Sequence, residues 1–370
     1  MLRSLVKETF NSSAQLPRPI LSGILLTAIL ITGCASQVSH LPILKNSPKH
    51  AKVLARANVN APTEQASSKL QVQYLGVSGF KLSYNGSSIL TAPSFSNPAF
   101  WGFPPAPFMA FQPDTQRIDR LMQQVDAQQA SMILVGHAHY DHLMDVPYIA
   151  NQFADKAMII GSKTTKHSIA SQVSSQRIIP VNKIAAKDDQ PGQWIYSQDK
   201  KVRVMAIESE HAPHILGIKF LQGSYQKDLP QLPKTIGGWV EGKTYAYLID
   251  FLENNGEIAY RVHFQDAAST PPLGFVPNLP QSQQKRVDAA IHCVAAYDQV
   301  DDYPNLLVQK MQPKISILAH WEDFFGNQPD GEQQGVRLTS IEGFIGELES
   351  VQAKDAKWIM PKPMVTFEVE

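Results

Sequence analysis

Residues 70–91 alternate apolar and polar side chains in the way that a half-buried antiparallel sheet requires. Alternate positions carry the apolar side chains Val72, Tyr74, Phe80, Leu82 and Tyr84. This period of two puts them on one face of an extended chain. Asn85-Gly86 is a tight-turn signal, and the apolar pattern resumes directly after it. The pattern predicts a β-meander at the start of the folded region.

Beyond this meander, apolar runs typical of strands alternate with stretches of helical periodicity. The predicted strands cover 132–135, 158–160, 202–207, 215–221, 244–249, 258–264, 289–294 and 315–318. The predicted helices cover 115–129, 146–153, 163–172 and 341–351. The order sheet, helices, sheet, helices predicts an α/β fold in which two mixed β-sheets are flanked by helices.

The N-terminal 33 residues have the layout of a secretory signal peptide. Arg3 and Lys7 precede an apolar stretch at 20–31, which is short for a membrane span. The sequence Ile31-Thr32-Gly33-Cys34 resembles a bacterial lipobox, in which the cysteine carries the lipid anchor. With Ala35 after Cys34, the resemblance implies a protein anchored in the outer membrane and facing the periplasm. Cleavage at another small residue, with Cys34 incidental, is the alternative.

We predict that the chain has three segments: a signal peptide at 1–33, a lipidated tether at 34–69 and one folded domain at 70–370. The 33 basic and 33 acidic side chains balance, so no net field favours nucleic acid. With Cys34 lipidated, Cys293 has no intramolecular disulfide partner, and its apolar neighbours predict a small core residue. No feature of the sequence indicates an oligomeric state.

The strongest candidates for functional residues lie in HAHYDH, residues 137–142, directly after the strand predicted at 132–135. Buried histidines without partners are costly, so several of them side by side need an explanation. Neutral imidazoles and a carboxylate that converge on one point are ligands of zinc or a similar cation. We therefore predict a bound divalent cation, with zinc favoured and iron or manganese as alternatives.

This motif resembles the signature His-x-His-x-Asp-His of the metallo-β-lactamase fold superfamily, whose members form a four-layer αββα sandwich. The resemblance covers roughly residues 70–367 and implies three further ligands, each after a strand. In this chain the matching residues are His211, Asp266 and His320. The implied ligand set is therefore His137, His139, Asp141, His142, His211, Asp266 and His320.

The resemblance divides these ligands between two metals. One would be held by His137, His139 and His211, the other by Asp141, His142 and His320, with Asp266 bridging. The sequence EHAPH at 210–214 leaves the third position open between His211 and His214. We expect His211, which is nearer the preceding strand, to be the ligand and His214 to contact substrate.

The implied activity is hydrolysis by a hydroxide activated between two metals, with Asp141 as the catalytic carboxylate that orients it. The motifs VQYLG, SILTAP and HYDHL resemble the branch that contains ascorbate-6-phosphate lactonase and N-acyl phosphatidylethanolamine phospholipase D. The chain departs from that branch at Ala92, where Asp is usual, and at Met144, which is inserted before Asp145. β-Lactamase activity is not expected.

An insert at 93–114 contains six aromatic residues, Phe95, Phe100, Trp101, Phe103, Phe108 and Phe111. They could pack as a local core, or Phe100, Trp101 and Phe103 could form an apolar rim for substrate. The second alternative favours a phosphodiester or ester substrate with a lipid-like group. A lactone or phosphate ester of a small polar metabolite is the alternative substrate. The other classes of function are a non-catalytic metal-binding envelope protein and a flavodiiron-like oxidoreductase, for which no flavin domain is evident.

Overall fold

The computed structural model describes residues 68–96, 106–325 and 333–370. Two seven-stranded sheets form its centre. The first has the order β14-β1-β2-β3-β4-β5-β6, antiparallel from β14 to β3 and parallel from β3 to β6. Its strands are β1 Leu70–Gly76, β2 Gly79–Tyr84, β3 Ser87–Thr91, β4 Ala130–Leu134, β5 Met158–Gly161, β6 Ile178–Pro180 and β14 Thr366–Val369.

The second sheet has the order β13-β12-β11-β10-β9-β8-β7. It is parallel from β13 to β10 and antiparallel from β10 to β7, so each sheet combines both kinds of pairing. Its strands are β7 Ile195–Tyr196, β8 Val202–Glu208, β9 Tyr245–Leu252, β10 Ile258–Phe264, β11 Ala289–Cys293, β12 Ile315–Ala319 and β13 Lys357–Ile359.

Three of the helices begin at residues whose side chains satisfy free backbone N–H groups. The Asp114 carboxylate accepts from the Arg117 N–H before the first helix, and Ser340 accepts from the Gly343 N–H before the last. Ser162 and Thr165 form a reciprocal capping box. The helices are α1 Thr115–Met122, α2 Tyr140–Leu143, α3 Val146–Gln152, α4 Lys163–Ile169, α5 Asn305–Met311 and α6 Ile341–Val351.

Alternation along β4 shows how the layers are built. Met132 and Leu134 pack in the core between the two sheets, while Ile133 packs against the helix layer that includes α1 and α3. On the second sheet, the Phe344 ring of α6 lies 6.4 Å from the ring of His292 on β11. Helices therefore cover the outer faces of both sheets, and the predicted αββα sandwich is confirmed.

Several predicted elements differ from the structure. The strand predicted at 215–221 is wrong: Leu216 and Leu221 have positive φ angles, and the segment forms only an isolated bridge between Ile215 and Ile218. Left-handed residues cannot continue a strand. The first helix ends at Met122 instead of 129, and the sequence pattern missed α5 and the short strands β6, β7, β13 and β14.

The predicted signal peptide and Cys34 lie outside the described residues, as does most of the predicted tether. β1 begins at Leu70. Within the described ranges, no helix combines the length and the apolar character needed to cross a membrane.

Candidate metal centre

HAHYDH forms the transition from β4 to helix α2. The chain leaves β4 after Leu134, and His139 is the extended residue that precedes α2, with φ −66° and ψ 160°. Asp141 and His142 then lie in the single turn of this helix, and all four metal-ligand candidates of the motif are buried. One strand end and one helical turn thus present four donor side chains within six residues.

Three strands of the second sheet end at the same place. His211 follows β8, Asp266 follows β10 and His320 follows β12. The structure brings all three to the HAHYDH segment, where the seven predicted residues form three overlapping groups. In each group the potential ligand atoms lie within 4.8 Å of one another: His137, His139 and His211; His137, His142 and Asp266; Asp141, His142 and His320.

Contacts among these groups are close. The Asp266 carboxylate lies between two histidines, with Oδ1 3.1 Å from Nδ1 of His137 and Oδ2 3.5 Å from Nδ1 of His142. The Asp141 carboxylate lies between His142 and His320, with Oδ2 3.4 Å and 3.5 Å from their Nε2 atoms. Asp266 therefore connects the first half of the motif to the second, as a bridging ligand would.

The donor set fits divalent cations. Nε2 of His137 and Nδ1 of His320 are buried and make no hydrogen bond, which is unfavourable unless they have another partner. At His211, Nδ1 lies 2.6 Å from the Ala212 carbonyl oxygen, which can only accept. That contact puts the proton on Nδ1 and leaves the Nε2 lone pair available, the arrangement usual for a metal-bound histidine.

Burial keeps the histidines of the first group neutral. It lowers the pKa of His139 to about 3 and lowers the pKa of His137 and of His211 well below the ordinary value. Burial also raises the pKa of Asp266 to about 6. Neutral imidazoles carry free lone pairs, so the first group is prepared to bind a cation.

The group of Asp141, His142 and His320 has a different charge balance. Burial alone would raise the pKa of Asp141, but neighbouring His142 and His320 hold it well below its ordinary value. Burial alone would lower the pKa of His142, but Asp141 and Asp266 raise it. Asp141 is therefore an anion, the form that can bind a cation or accept a hydrogen bond from a water molecule.

His214 lies beside the centre and is absent from the three groups. Its ring stacks on His211 with centroids 4.7 Å apart, and its Nδ1 accepts a hydrogen bond of 3.1 Å from the Phe220 N–H. A backbone N–H can only donate, so the proton of a neutral His214 must be on Nε2. His214 therefore offers an N–H donor next to the metal-ligand group that contains His211.

The predicted aromatic rim of Phe100, Trp101 and Phe103 lies outside the described residues. Of the insert's other aromatics, Phe95 is buried in the helix-layer core, and the Phe111 ring contacts Tyr140 edge to face at 6.2 Å. Phe108 is 82% exposed. The choice between core and rim therefore stays open for the three named residues.

Sequence reasoning missed three residues around the centre. Gly136 donates its N–H to Oδ2 of Asp266, while Tyr74 and Glu322 surround the backbone of His320. The available signals were a small residue immediately before the motif and an acidic residue two positions after His320. Neither signal has a sequence spacing that indicates a contact.

Solved structures with similar folds include metallo-hydrolases. Igni18, a metallo hydrolase from Ignicoccus hospitalis, is 15% identical, with a TM-score of 0.46 and coverage of 82% of this chain and 100% of that chain. The metallo-β-lactamase fold protein YhfI from Bacillus subtilis is 11% identical, with a TM-score of 0.44 and coverage of 81% and 99%. CmlA, a diiron β-hydroxylase from Streptomyces venezuelae, is 13% identical, with a TM-score of 0.42 and coverage of 83% and 55%.

No family model matches the chain, and no curated protein matches its sequence. The functional argument therefore rests on the residues of this chain.

Proposed function

We propose that the protein is a metal-dependent hydrolase. The observation that supports this is the convergence of seven buried or half-buried His and Asp side chains from two sheets into three groups with ligand atoms within 4.8 Å. His137, His139 and His211 would hold one divalent cation. Asp141, His142 and His320 would hold a second, with Asp266 between them. The nitrogen-rich set favours zinc, with iron or manganese as alternatives.

Bound divalent cations at such a pair of sites lower the pKa of a water molecule and polarise the substrate oxygen. The chain supplies the remaining functions. The anionic Asp141 can accept a hydrogen bond from the attacking water and orient it. His214 can donate its Nε2–H to an oxygen of the substrate, since Phe220 fixes the proton on that nitrogen. Both would act by positioning, with no covalent enzyme intermediate.

For the substrate, we propose a phosphodiester or ester that carries an apolar group. A hairpin at 214–221 supports this choice, because it begins at His214 and exposes three large apolar side chains. Leu216 is 85% exposed, and Ile218 and Phe220 are about half exposed. The Phe220 ring lies 5.5 Å from the ring of His214. An apolar surface therefore begins directly beside the metal centre.

Metal content and two ligand variants test the proposed activity. We expect about two equivalents of zinc, iron or manganese per chain in protein purified without chelator, measured by elemental analysis. His139→Ala and Asp266→Ala should abolish hydrolysis of phosphodiester and ester substrates and lower the metal content. His167→Ala, a histidine outside the three groups that pairs with Asp228, is the control and should retain both. A folded, metal-free wild-type protein would refute the proposal.

A substrate panel tests the proposed substrate class. Metal-loaded protein would be compared on bis-p-nitrophenyl phosphate, short and long acyl esters, phospholipids, small lactones and a chromogenic β-lactam. We expect turnover to rise with acyl length, and this gain to fall in Leu216→Ser, Ile218→Ser and the triple variant Phe100→Ala, Trp101→Ala and Phe103→Ala. Tyr196→Ser is the control, since Tyr196 is 43% exposed on β7, away from the hairpin. Fastest turnover of small lactones or monoesters, unaffected by these variants, would favour a polar metabolite instead.

The predicted envelope location is also a proposal. Lipidation at Cys34 would place the enzyme at a bilayer surface, next to lipid-like substrates. Cys34→Ser should release the protein from the membrane fraction of a bacterial host and abolish its labelling by a radioactive fatty acid. Unchanged labelling would show that Cys34 is not the lipid attachment site.

A further inference from the structure

Two left-handed residues face each other where β1 and β12 end. Val77 has a φ of 55° and His320 a φ of 52°. Positive φ is unfavourable for residues other than glycine, above all for a β-branched one, and it persists only where surrounding contacts hold it. His320 is one of the proposed ligands of the second cation. The contacts that hold its backbone conformation therefore also decide where its ring lies.

A buried tyrosine and a buried carboxylate hold both residues. The His320 N–H donates to the Val77 carbonyl oxygen at 2.6 Å and lies 3.2 Å from the Tyr74 hydroxyl oxygen. That hydroxyl donates to Oε2 of Glu322 at 2.5 Å, and Oε1 accepts from the Val77 N–H. Tyr74 is fully buried and Glu322 is 3% exposed. The Glu322 carboxylate therefore binds Val77 directly and His320 through Tyr74.

We propose that Tyr74 and Glu322 are positioning residues that hold His320 in place to complete the second metal site, an inference that rests on the proposed metal-dependent function. With φ at 52°, Nε2 of His320 lies 3.5 Å from Oδ2 of Asp141. Without these contacts, His320 would relax toward negative φ and its ring would move away from Asp141. The first group, His137, His139 and His211, makes no use of this arrangement.

The cost of the arrangement supports a functional role. A carboxylate and a phenol buried away from water are unfavourable unless they are fully paired, and an apolar pair would fill the same space at less cost. Outer contacts of this kind, which orient metal ligands, typically change metal affinity about 10- to 100-fold when they are removed.

The chain offers a matched control at Tyr84, the last residue of β2. There the Tyr84 hydroxyl donates to Oε1 of Glu253 at 2.6 Å, in a second tyrosine–glutamate pair. This pair contacts neither a left-handed residue of the site nor a ligand candidate. The substitutions Tyr74→Phe and Glu322→Gln can therefore be compared with Tyr84→Phe and Glu253→Gln, which remove the same chemical groups.

The experiment is a titration of chelator-treated full chain with Co²⁺, followed by visible absorption and by elemental analysis after dialysis. His139→Ala and His320→Ala identify the absorption of the first and the second site. We expect Tyr74→Phe and Glu322→Gln to raise the dissociation constant of the second Co²⁺ about 10- to 100-fold and to leave the first unchanged. The two control variants should bind both ions as the wild type does.

Three results would overturn the inference. Wild-type affinity for both ions in Tyr74→Phe and Glu322→Gln would show that His320 needs no such support. Equal weakening of both sites would indicate a general structural role. A wild-type chain that binds no Co²⁺ would refute the proposed function itself, which separates that failure from failure of the positioning role. If Tyr74→Phe does not fold, the nearly isosteric Glu322→Gln provides the same test.

Discussion

At the residue scale, the candidate metal centre depends on the close approach of the Asp266 carboxylate to Gly136, which a Cβ at position 136 would block. A Cβ on Gly136 would lie 2.1 Å from Oδ1 of Asp266, well inside van der Waals contact. The Gly136 N–H also donates to Oδ2 of Asp266 at 3.0 Å. Glycine is therefore required here for its missing side chain, and Asp266 could not otherwise reach its place between His137 and His142.

Gly136→Ala should displace the Asp266 carboxylate and lower the metal content of the purified protein. Overpacking of a filled site costs about 1–3 kcal/mol, so the free energy of unfolding should fall by a similar amount. Elemental analysis and urea denaturation measure the two effects. Gly346→Ala is the control, because an added Cβ on Gly346 in helix α6 would extend into open space. Full metal content in Gly136→Ala would contradict the packing argument.

His292 couples stability to pH. It is fully buried on β11, its Nε2 lies 3.2 Å from the Ser316 hydroxyl, and burial lowers its pKa to about 3. As the pH falls below about 6.5, the unfolded chain takes up a proton at this histidine that the folded chain does not. Its contribution to stability is therefore complete above pH 6.5 and is lost progressively as the pH falls toward 3.

His292→Gln keeps a partner for Ser316 but does not titrate. The variant should be less stable than the wild type at pH 7, and the difference should shrink by roughly 1.4 kcal/mol per pH unit below 6.5. Urea denaturation at pH 7 and pH 5 measures this change. Ser316→Ala removes the same hydrogen bond and retains the histidine, so its stability difference should stay constant over that range. A constant difference for His292→Gln would show that the histidine does not resist protonation.

At the scale of elements, one carboxylate joins three neighbouring strands of the second sheet. Asp250 on β9 lies 2.9 Å from Nη2 of Arg203 on β8 and 2.7 Å from Nε of Arg261 on β10. Asp250 is fully buried and Arg261 is 1% exposed. Since these charges are removed from water, the strands depend on the complete set of partners.

Asp250→Asn should leave the buried Arg261 without its counter-charge and lower the free energy of unfolding by about 3–5 kcal/mol. Chemical denaturation measures the loss. Asp355→Asn breaks the exposed pair with Arg286 and should cause little change, because water replaces the lost partner. Similar stability of the two variants would contradict the role assigned to burial.

At the scale of the whole molecule, the candidate metal ligands come from both sheets. His137, His139, Asp141 and His142 follow β4 of the first sheet, while His211, Asp266 and His320 follow strands of the second. Each of the three groups combines residues from both sides. Bound cations would therefore link the sheets at this edge in addition to their chemical role.

Metal removal should lower the Tm of the wild-type chain. A cation present at 100 times its dissociation constant adds about 2.7 kcal/mol to the stability of the folded state. Differential scanning calorimetry with and without chelator, followed by zinc addition, measures the shift. Asp266→Ala should show a much smaller metal-dependent shift, and His167→Ala should show the full shift. An unchanged wild-type Tm after complete metal removal would exclude this stabilising link.

The sequence alone determined the layered fold and the identity of the converging residues. Strand and helix periodicity is local, so most central strands could be predicted to within a few residues. The six-residue motif is also local, and its resemblance to a known signature indicated where His211, Asp266 and His320 should follow. Short edge strands such as β7 were missed because two or three residues carry no measurable period.

Only the tertiary structure decided the distances between these residues and the contacts around them. It grouped His211 with His137 and His139, placed His214 beside them, and turned the apolar run at 215–221 into an exposed hairpin. Tyr74 and Glu322 are 248 positions apart, and Gly136 and Asp266 are 130 apart. Such contacts depend on how two sheets pack, and a one-dimensional pattern of hydrophobicity contains no distance between their strand ends.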